Sequence, residues 1–185
     1  MKKFIMIFIF ILLTSAGIYA HPHLFVTPNI KLIISGNVLE KIEFTWKWDE
    51  WWSRDVFDYC DLNYDGIFND EETDLVYQDF FKGLEDYDYF MIIKADGKKT
   101  AIKKIEDFTV FSSGQVVFYT FSVPVNLTIG NETDFKIVFN DETIYTSFDH
   151  DVTVISEPEG HIHNLKIGQY SYYGVQAEFS ASPDQ

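Results

Sequence analysis

Apolar residues fall on alternate positions through residues 38–48, so Ile42, Phe44, Trp46 and Trp48 share one side. A period of two predicts a strand with one buried face. Residues 24–35 read as its partner, joined through the turn Ser35-Gly36-Asn37. The pattern then becomes helical. Asp49 can cap a helix over residues 50–58, and Leu75, Val76, Phe80, Leu84 and Tyr87 recur at helical spacing after an acidic start at Asp70-Glu71-Glu72. From Tyr89 alternation returns. Residues 90–94 and 100–104 flank Ala95-Asp96-Gly97 as a hairpin, since Asp-Gly supplies the positive φ angles of a tight turn. Short strands follow at 108–111, 115–123, 135–140 and 143–148, with another at 152–156. The expected fold class is α+β: an antiparallel β-rich, sandwich-like domain over residues 21–180, with a helix–loop–helix insertion at 49–88. Residues 181–185 are expected as a disordered tail.

The first twenty residues stand outside that pattern. Lys2 and Lys3 precede an apolar run from Phe4 to Leu13, and small residues lead to Ala20. This is the form of a secretory signal peptide, and it predicts a bacterial protein secreted to the periplasm with His21 as its mature start. No later stretch is long and apolar enough to span a bilayer, so no membrane insertion is expected after cleavage.

Charge narrows the partners. The whole chain carries 14 Lys+Arg against 29 Asp+Glu, a formal −15. Loss of Lys2 and Lys3 takes the mature chain to −17. Such a surface disfavours nucleic acid and anionic membranes and favours cations. Cys60 is the sole cysteine, which removes intramolecular disulfides and suggests a buried packing thiol.

Residues 61–72 carry the sharpest chemical signal. Asp61, Asn63, Asp65, Gly66 and Glu72 occupy positions 1, 3, 5, 6 and 12 of an EF-hand calcium loop. Ile67 offers its carbonyl at position 7, and Asn69 a ligand, direct or through water, at position 9. Ca²⁺ is a hard cation that takes six to eight oxygens, and the glycine permits the sharp turn that gathers them. An ordinary acidic turn would also use Asp, Asn and Gly, but it has no need to fill every ligand position. The loop lies between the two expected helices, as an EF-hand requires.

Four of the five histidines form two His-x-His pairs, His21/His23 at the mature start and His161/His163 near the C-terminus. In extended backbone, residues two apart face the same side, and imidazole suits Zn²⁺, Ni²⁺ or Cu²⁺ rather than Ca²⁺. After cleavage, the His21 amine and ring could chelate one ion together. Solvated surface histidines are the bland reading of both pairs, and of His150 between Asp149 and Asp151.

Several of these segments together resemble a family of bacterial periplasmic proteins of uncharacterised function, labelled as the periplasmic component of an ABC-type transport system. They are His21-Pro-His23-Leu-Phe25, Trp46-Lys-Trp48-Asp-Glu50 before Ser53, the loop 61–72, and Glu85-Asp-Tyr-Asp-Tyr-Phe90. The resemblance implies association with an inner-membrane transporter of nickel, cobalt or zinc. No Ser-His-Asp order, His-Glu-x-x-His helix or phosphate-binding glycine loop is present, so the chain is read as a non-enzyme. Two functions remain: a metal-binding accessory of metal transport, and an interaction module stabilised by Ca²⁺ alone.

Overall fold

The computed structural model describes residues 23–143 and 145–183. The expected signal peptide and His21 lie outside this range. The first sheet contains β1 (Leu24–Ser35), β2 (Val38–Trp48), β5 (Glu106–Ser113), β6 (Val116–Thr128), β8 (Thr146–Phe148) and β9 (Val154–Glu157). Its order is β5-β6-β2-β1-β8, with β9 also paired to β1. The second contains β3 (Met91–Ala95), β4 (Lys98–Thr100), β7 (Thr133–Phe139), β10 (Ile162–Gln169) and β11 (Val175–Ala181), in the order β10-β11-β7-β3-β4.

The inner faces meet through aromatic rings. Phe44 of the first sheet lies edge-on to Phe139 of the second at 5.9 Å, and Trp46 touches Phe121, Phe139 and Phe148. Ile42, Phe44, Trp46 and Trp48 are all buried, as their alternation predicts. Edge-to-face geometry suits the ring quadrupoles and adds roughly 0.5–1.5 kcal/mol per pair beyond area burial.

Between β2 and β3 lie α1 (Glu50–Cys60), α2 (Asp70–Val76), a π-helical turn (Tyr77–Phe81) and a 3₁₀ segment (Lys82–Phe90). Asp49 caps α1 through Oδ1, which accepts the N–H groups of Trp51 at 2.8 Å and Trp52 at 2.9 Å. Its Oδ2 accepts the Phe25 N–H at 2.6 Å and so ties the helix start to β1. Phe81 enters the core against Trp46, Tyr119 and Phe121. Ser53 Oγ, fully buried, accepts the Val117 N–H at 2.9 Å.

Five expectations are corrected. The pairing is not all antiparallel: β8 and β9 both run parallel to β1, reached by crossovers that a one-dimensional pattern does not encode. The second helix is not continuous to Tyr87. Its α-helical part ends at Val76, and Asp88, Tyr89 and Phe90 take left-handed φ values of 50°, 52° and 55°. The hairpin's second arm is residues 98–100, since Asp96 and Gly97, both at positive φ, set Ala95 opposite Lys98. The strand expected at 143–148 begins only at Thr146, because Asp141 accepts the N–H groups of Thr143 and Thr146 and holds a turn there. Finally, β10 and β11 were not expected. Ala181, placed in the tail, closes β11 opposite Thr133.

Candidate functional site

The loop between α1 and α2 is built by its own side chains. Asp61 Oδ2 accepts the Gly66 N–H at 2.9 Å, and its Oδ1 accepts that of Asp65 at 3.2 Å. Asn63 Oδ1 takes the Asp65 N–H and Asp65 Oδ1 the Ile67 N–H, each at 2.8 Å. These bonds wind the backbone round the acidic residues. Tyr64 and Gly66 supply the bend at φ 60° and 77°; the glycine reaches that region without strain.

The far end closes the ring. Asn69 and Glu72 form a reciprocal capping box at the start of α2. Glu72 Oε1 also reaches back to the Leu62 N–H at 2.8 Å. The Ser112 hydroxyl of β5 donates to the Gly66 carbonyl at 2.5 Å and fastens the loop to the first sheet.

The electrostatics are lopsided. Asp61 is 6% exposed and Glu72 only 1%. Among the described residues no Lys, Arg or His lies within ion-pair distance of Asp61, Asp65 or Glu72. Buried carboxylates ordinarily pair with a cation or a metal. Neighbouring Cys60 feels the same field. Burial first, then the charges of Asp79 and Glu72, push its thiol up to about 11, which keeps it protonated and inert at neutral pH.

The donor set is all oxygen: Asp61, Asn63, Asp65 and Glu72 side chains, the Ile67 carbonyl and Asn69. That chemistry fits Ca²⁺ and not a soft metal. Among the described residues no three His, Cys, Asp or Glu side chains converge as a metal cluster. Here the carboxylates face backbone N–H groups instead, and three of the six expected ligand positions use donors of other kinds, the Asn63 and Asn69 amides and the Ile67 carbonyl.

The histidines are dispersed. The His23 ring lies 5.0 Å from that of Tyr145, beside the paired start of β1 and β8. His161 sits past the other end of β1: its N–H reaches Ser156 Oγ, and Ser156 pairs with Leu32. Eight rises of about 3.3 Å from Leu24 to Leu32 put His23 and His161 on the order of 25 Å apart. One shared site would need them within about 10 Å. His161 and His163 do face one another's neighbourhood, since both contact Ser182. His161 Nδ1 donates to the Ser182 carbonyl at 3.2 Å, and His163 Nε2 lies 3.1 Å from the Ser182 hydroxyl. The first bond fixes the His161 tautomer with its proton on Nδ1. His150 lines a separate surface cleft with Asp49, Glu50 and Asp149.

A family profile described as "Protein of unknown function (DUF1007)" matches residues 6–169. The chain belongs to this family. A relative in Spirochaeta aurantia, an uncharacterized 15.5 kDa protein in the trpE 3′ region, is 28% identical over 86 residues. That match covers 46% of this chain and 61% of the relative, so the chain spans about three-fifths of the relative's length. Membership of the DUF1007 family supports the expected resemblance to an uncharacterised family. Neither description names a transporter, a metal or a cellular compartment.

Sequence reasoning missed the partners that hold the loop in place. Ser112 lies 46 residues from Gly66, and nothing in the local pattern around a serine at the end of β5 marks it as the loop's anchor.

Proposed function

We propose that the protein is a Ca²⁺-binding protein secreted to the bacterial periplasm, and that residues 61–72 form a single EF-hand loop serving as a structural staple. One observation carries this reading. Asp61 and Glu72 are buried carboxylates at the two ends of a twelve-residue oxygen-donor loop, with no cationic side chain among the described residues within ion-pair distance of them. When bound, Ca²⁺ would neutralise the charge that Asp61, Asp65 and Glu72 accumulate. The protein's own part is to fix the ring of donors through the Asp61–Gly66 and Glu72–Leu62 bonds and through the Ser112 anchor. A solitary hand of this kind belongs with weak extracellular sites, with Kd of about 10⁻⁴ to 10⁻³ M. The test is thermal unfolding of the purified protein with millimolar Ca²⁺ or with chelator. A stabilisation that disappears in Asp61→Ala supports the staple, and an unchanged melting temperature opposes it.

The histidines extend the proposal to an accessory of an inner-membrane metal transporter. His161 and His163 would hold Zn²⁺, Ni²⁺ or Cu²⁺ at one end of the molecule, and His21 and His23 at the other. The reading of two sites rests on the separation of His23 and His161 along β1. Metal analysis of protein purified with an untagged His21 tests this extension. Absence of all three metals, with Ca²⁺ still bound, leaves the interaction module. That second reading has its own support in the exposed apolar residues Trp51, Tyr59, Leu62, Tyr64 and Ile67 on α1 and the loop.

A further inference from the structure

The outer face of the second sheet carries one transverse row of charges. Cross-strand register aligns Lys166 with Glu178, Glu178 with Lys136, Lys136 with Lys94, and Lys94 with Lys99. Their strand neighbours Ile93, Ile137, Ala177 and Phe179 are buried in the core, so alternation turns the row outward. Four cations and one acid therefore span all five strands. Lys136 bridges Glu178 at 2.9 Å, and Lys99 bridges Asp88 at 2.9 Å. Among the described residues Lys94 and Lys166 have no carboxylate within ion-pair distance.

This arrangement costs stability and has no evident structural return. Like charges directly opposite one another destabilise an antiparallel pair, and Lys94 faces a lysine on each side. Lysines on an edge strand protect against edge-to-edge aggregation. That accounts for Lys98 and Lys99 on β4, but not for Lys94 and Lys136 on the interior strands β3 and β7. A groove of about 440 Å³ follows the row, lined by Lys94, Lys136, Lys166, Asn164, Asp134 and Glu178. The rest of the molecule sharpens the contrast. Residues 49–90 hold fourteen acids and two bases, −12 of the mature chain's −17, so the remainder carries only −5 and the row is a local cationic feature.

We propose that this lysine row is a docking groove for an extended acidic polypeptide segment, with two of its carboxylates meeting Lys94 and Lys166. Three inter-strand spacings of about 4.8 Å put those lysines about 14 Å apart. A single small anion does not bridge that distance. In an extended chain, acidic residues four apart stand about 13 Å apart and face the same side, which matches. A flat anionic bilayer fits less well. Within a Debye length of about 8 Å it would also meet Asp134, Glu178 and the field of a strongly acidic protein. This groove lies on a different sheet from the anchored loop and stands whether or not that loop binds Ca²⁺.

The test is fluorescence anisotropy with labelled poly-L-glutamate and the full-length protein. The wild type should bind at low ionic strength and release the probe at about 0.5 M salt, where the Debye length is short. The double variant Lys94→Gln/Lys166→Gln should bind about tenfold more weakly, two exposed ion pairs being lost. Lys82→Gln, an exposed lysine of the helical segment, should change binding less than about twofold. Melting temperatures no lower than that of the wild type establish that folding is intact in both variants. No binding by the wild type at low salt overturns the proposal, as does equal weakening by Lys82→Gln. Row-dependent binding to phosphatidylglycerol vesicles without binding to poly-L-glutamate overturns it in favour of a membrane surface.

Discussion

The Glu72 carboxylate accepts the backbone N–H of Leu62, ten residues earlier in the chain, at 2.8 Å. Its second oxygen takes the Asn69 N–H at 3.0 Å. One buried side chain thus closes the loop and caps α2, so its structural role and its proposed role toward Ca²⁺ must be separated by the choice of substitution. Glu72→Ala removes the acceptor for both N–H groups and should cost about 1–3 kcal/mol even in chelator. Glu72→Gln keeps one oxygen acceptor and loses the charge. It should retain more of the chelator-state stability yet lose most of the response to Ca²⁺. Chemical denaturation with and without Ca²⁺ resolves the two. An equal Ca²⁺ response in wild type and Glu72→Gln would remove Glu72 from the ligand set.

Asp49 supports two elements at once, with three N–H groups on its carboxylate. Asp49→Ala should therefore exceed the usual N-cap loss of about 1 kcal/mol, because the Phe25 N–H on β1 is orphaned as well. Asp49→Asn should recover part of it. Urea denaturation midpoints measure both, and an Asp49→Ala loss below about 0.5 kcal/mol would show that the link to β1 contributes nothing.

Much of this was legible in the sequence, and the remainder failed for identifiable reasons. The face of Ile42, Phe44, Trp46 and Trp48 and the cap at Asp49 could be read because alternation and capping are local. The parallel pairing of β8 and β9 to β1 is a long-range choice and leaves no local trace. Strand β10 shifts register between His163 and Lys166, which breaks the alternation that would have revealed it. The left-handed run at Asp88, Tyr89 and Phe90 contains no glycine or asparagine, so the end of the 3₁₀ segment that it forms had no sequence marker. For the candidate site, the spacing from Asp61 to Glu72 was visible, whereas the separation of His23 from His161 depends on which end of β1 each one meets.

Cys60 should be slow to react. The native thiol is buried and held up to about 11, so Ellman's reagent at pH 8 should label it only after denaturant is added. The same shift sets an alkaline signature. In the unfolded chain the thiol ionises near its ordinary 9, while the folded chain keeps the proton to about 11. Across that window the native state binds more protons, so stability falls as pH rises. Tyr89, buried and pushed up to about 12, extends the decline by the same logic. Stability measured from pH 8 to 11 should fall less steeply in Cys60→Ala.

The histidine pairs should behave as independent sites. His23 and His161 lie on the order of 25 Å apart, and substitutions that distant are additive within about 0.5 kcal/mol. Zn²⁺ binding by His23→Ala and His161→Ala variants, compared with the double variant, measures the coupling. Strong non-additivity would mean that the pairs meet in a way the fold does not provide.

The central claim is that Ca²⁺ staples the loop between α1 and α2. Thermal unfolding of the wild type with about 5 mM Ca²⁺, set against chelator, tests it most directly. With Kd of about 10⁻⁴ to 10⁻³ M, binding to the native state alone adds about 1–2 kcal/mol, or about 2–8 °C in Tm. Asp61→Ala should abolish the shift, and Mg²⁺ at the same concentration should reproduce little of it. A wild-type Tm indifferent to Ca²⁺, or a shift that survives in Asp61→Ala, would contradict the account.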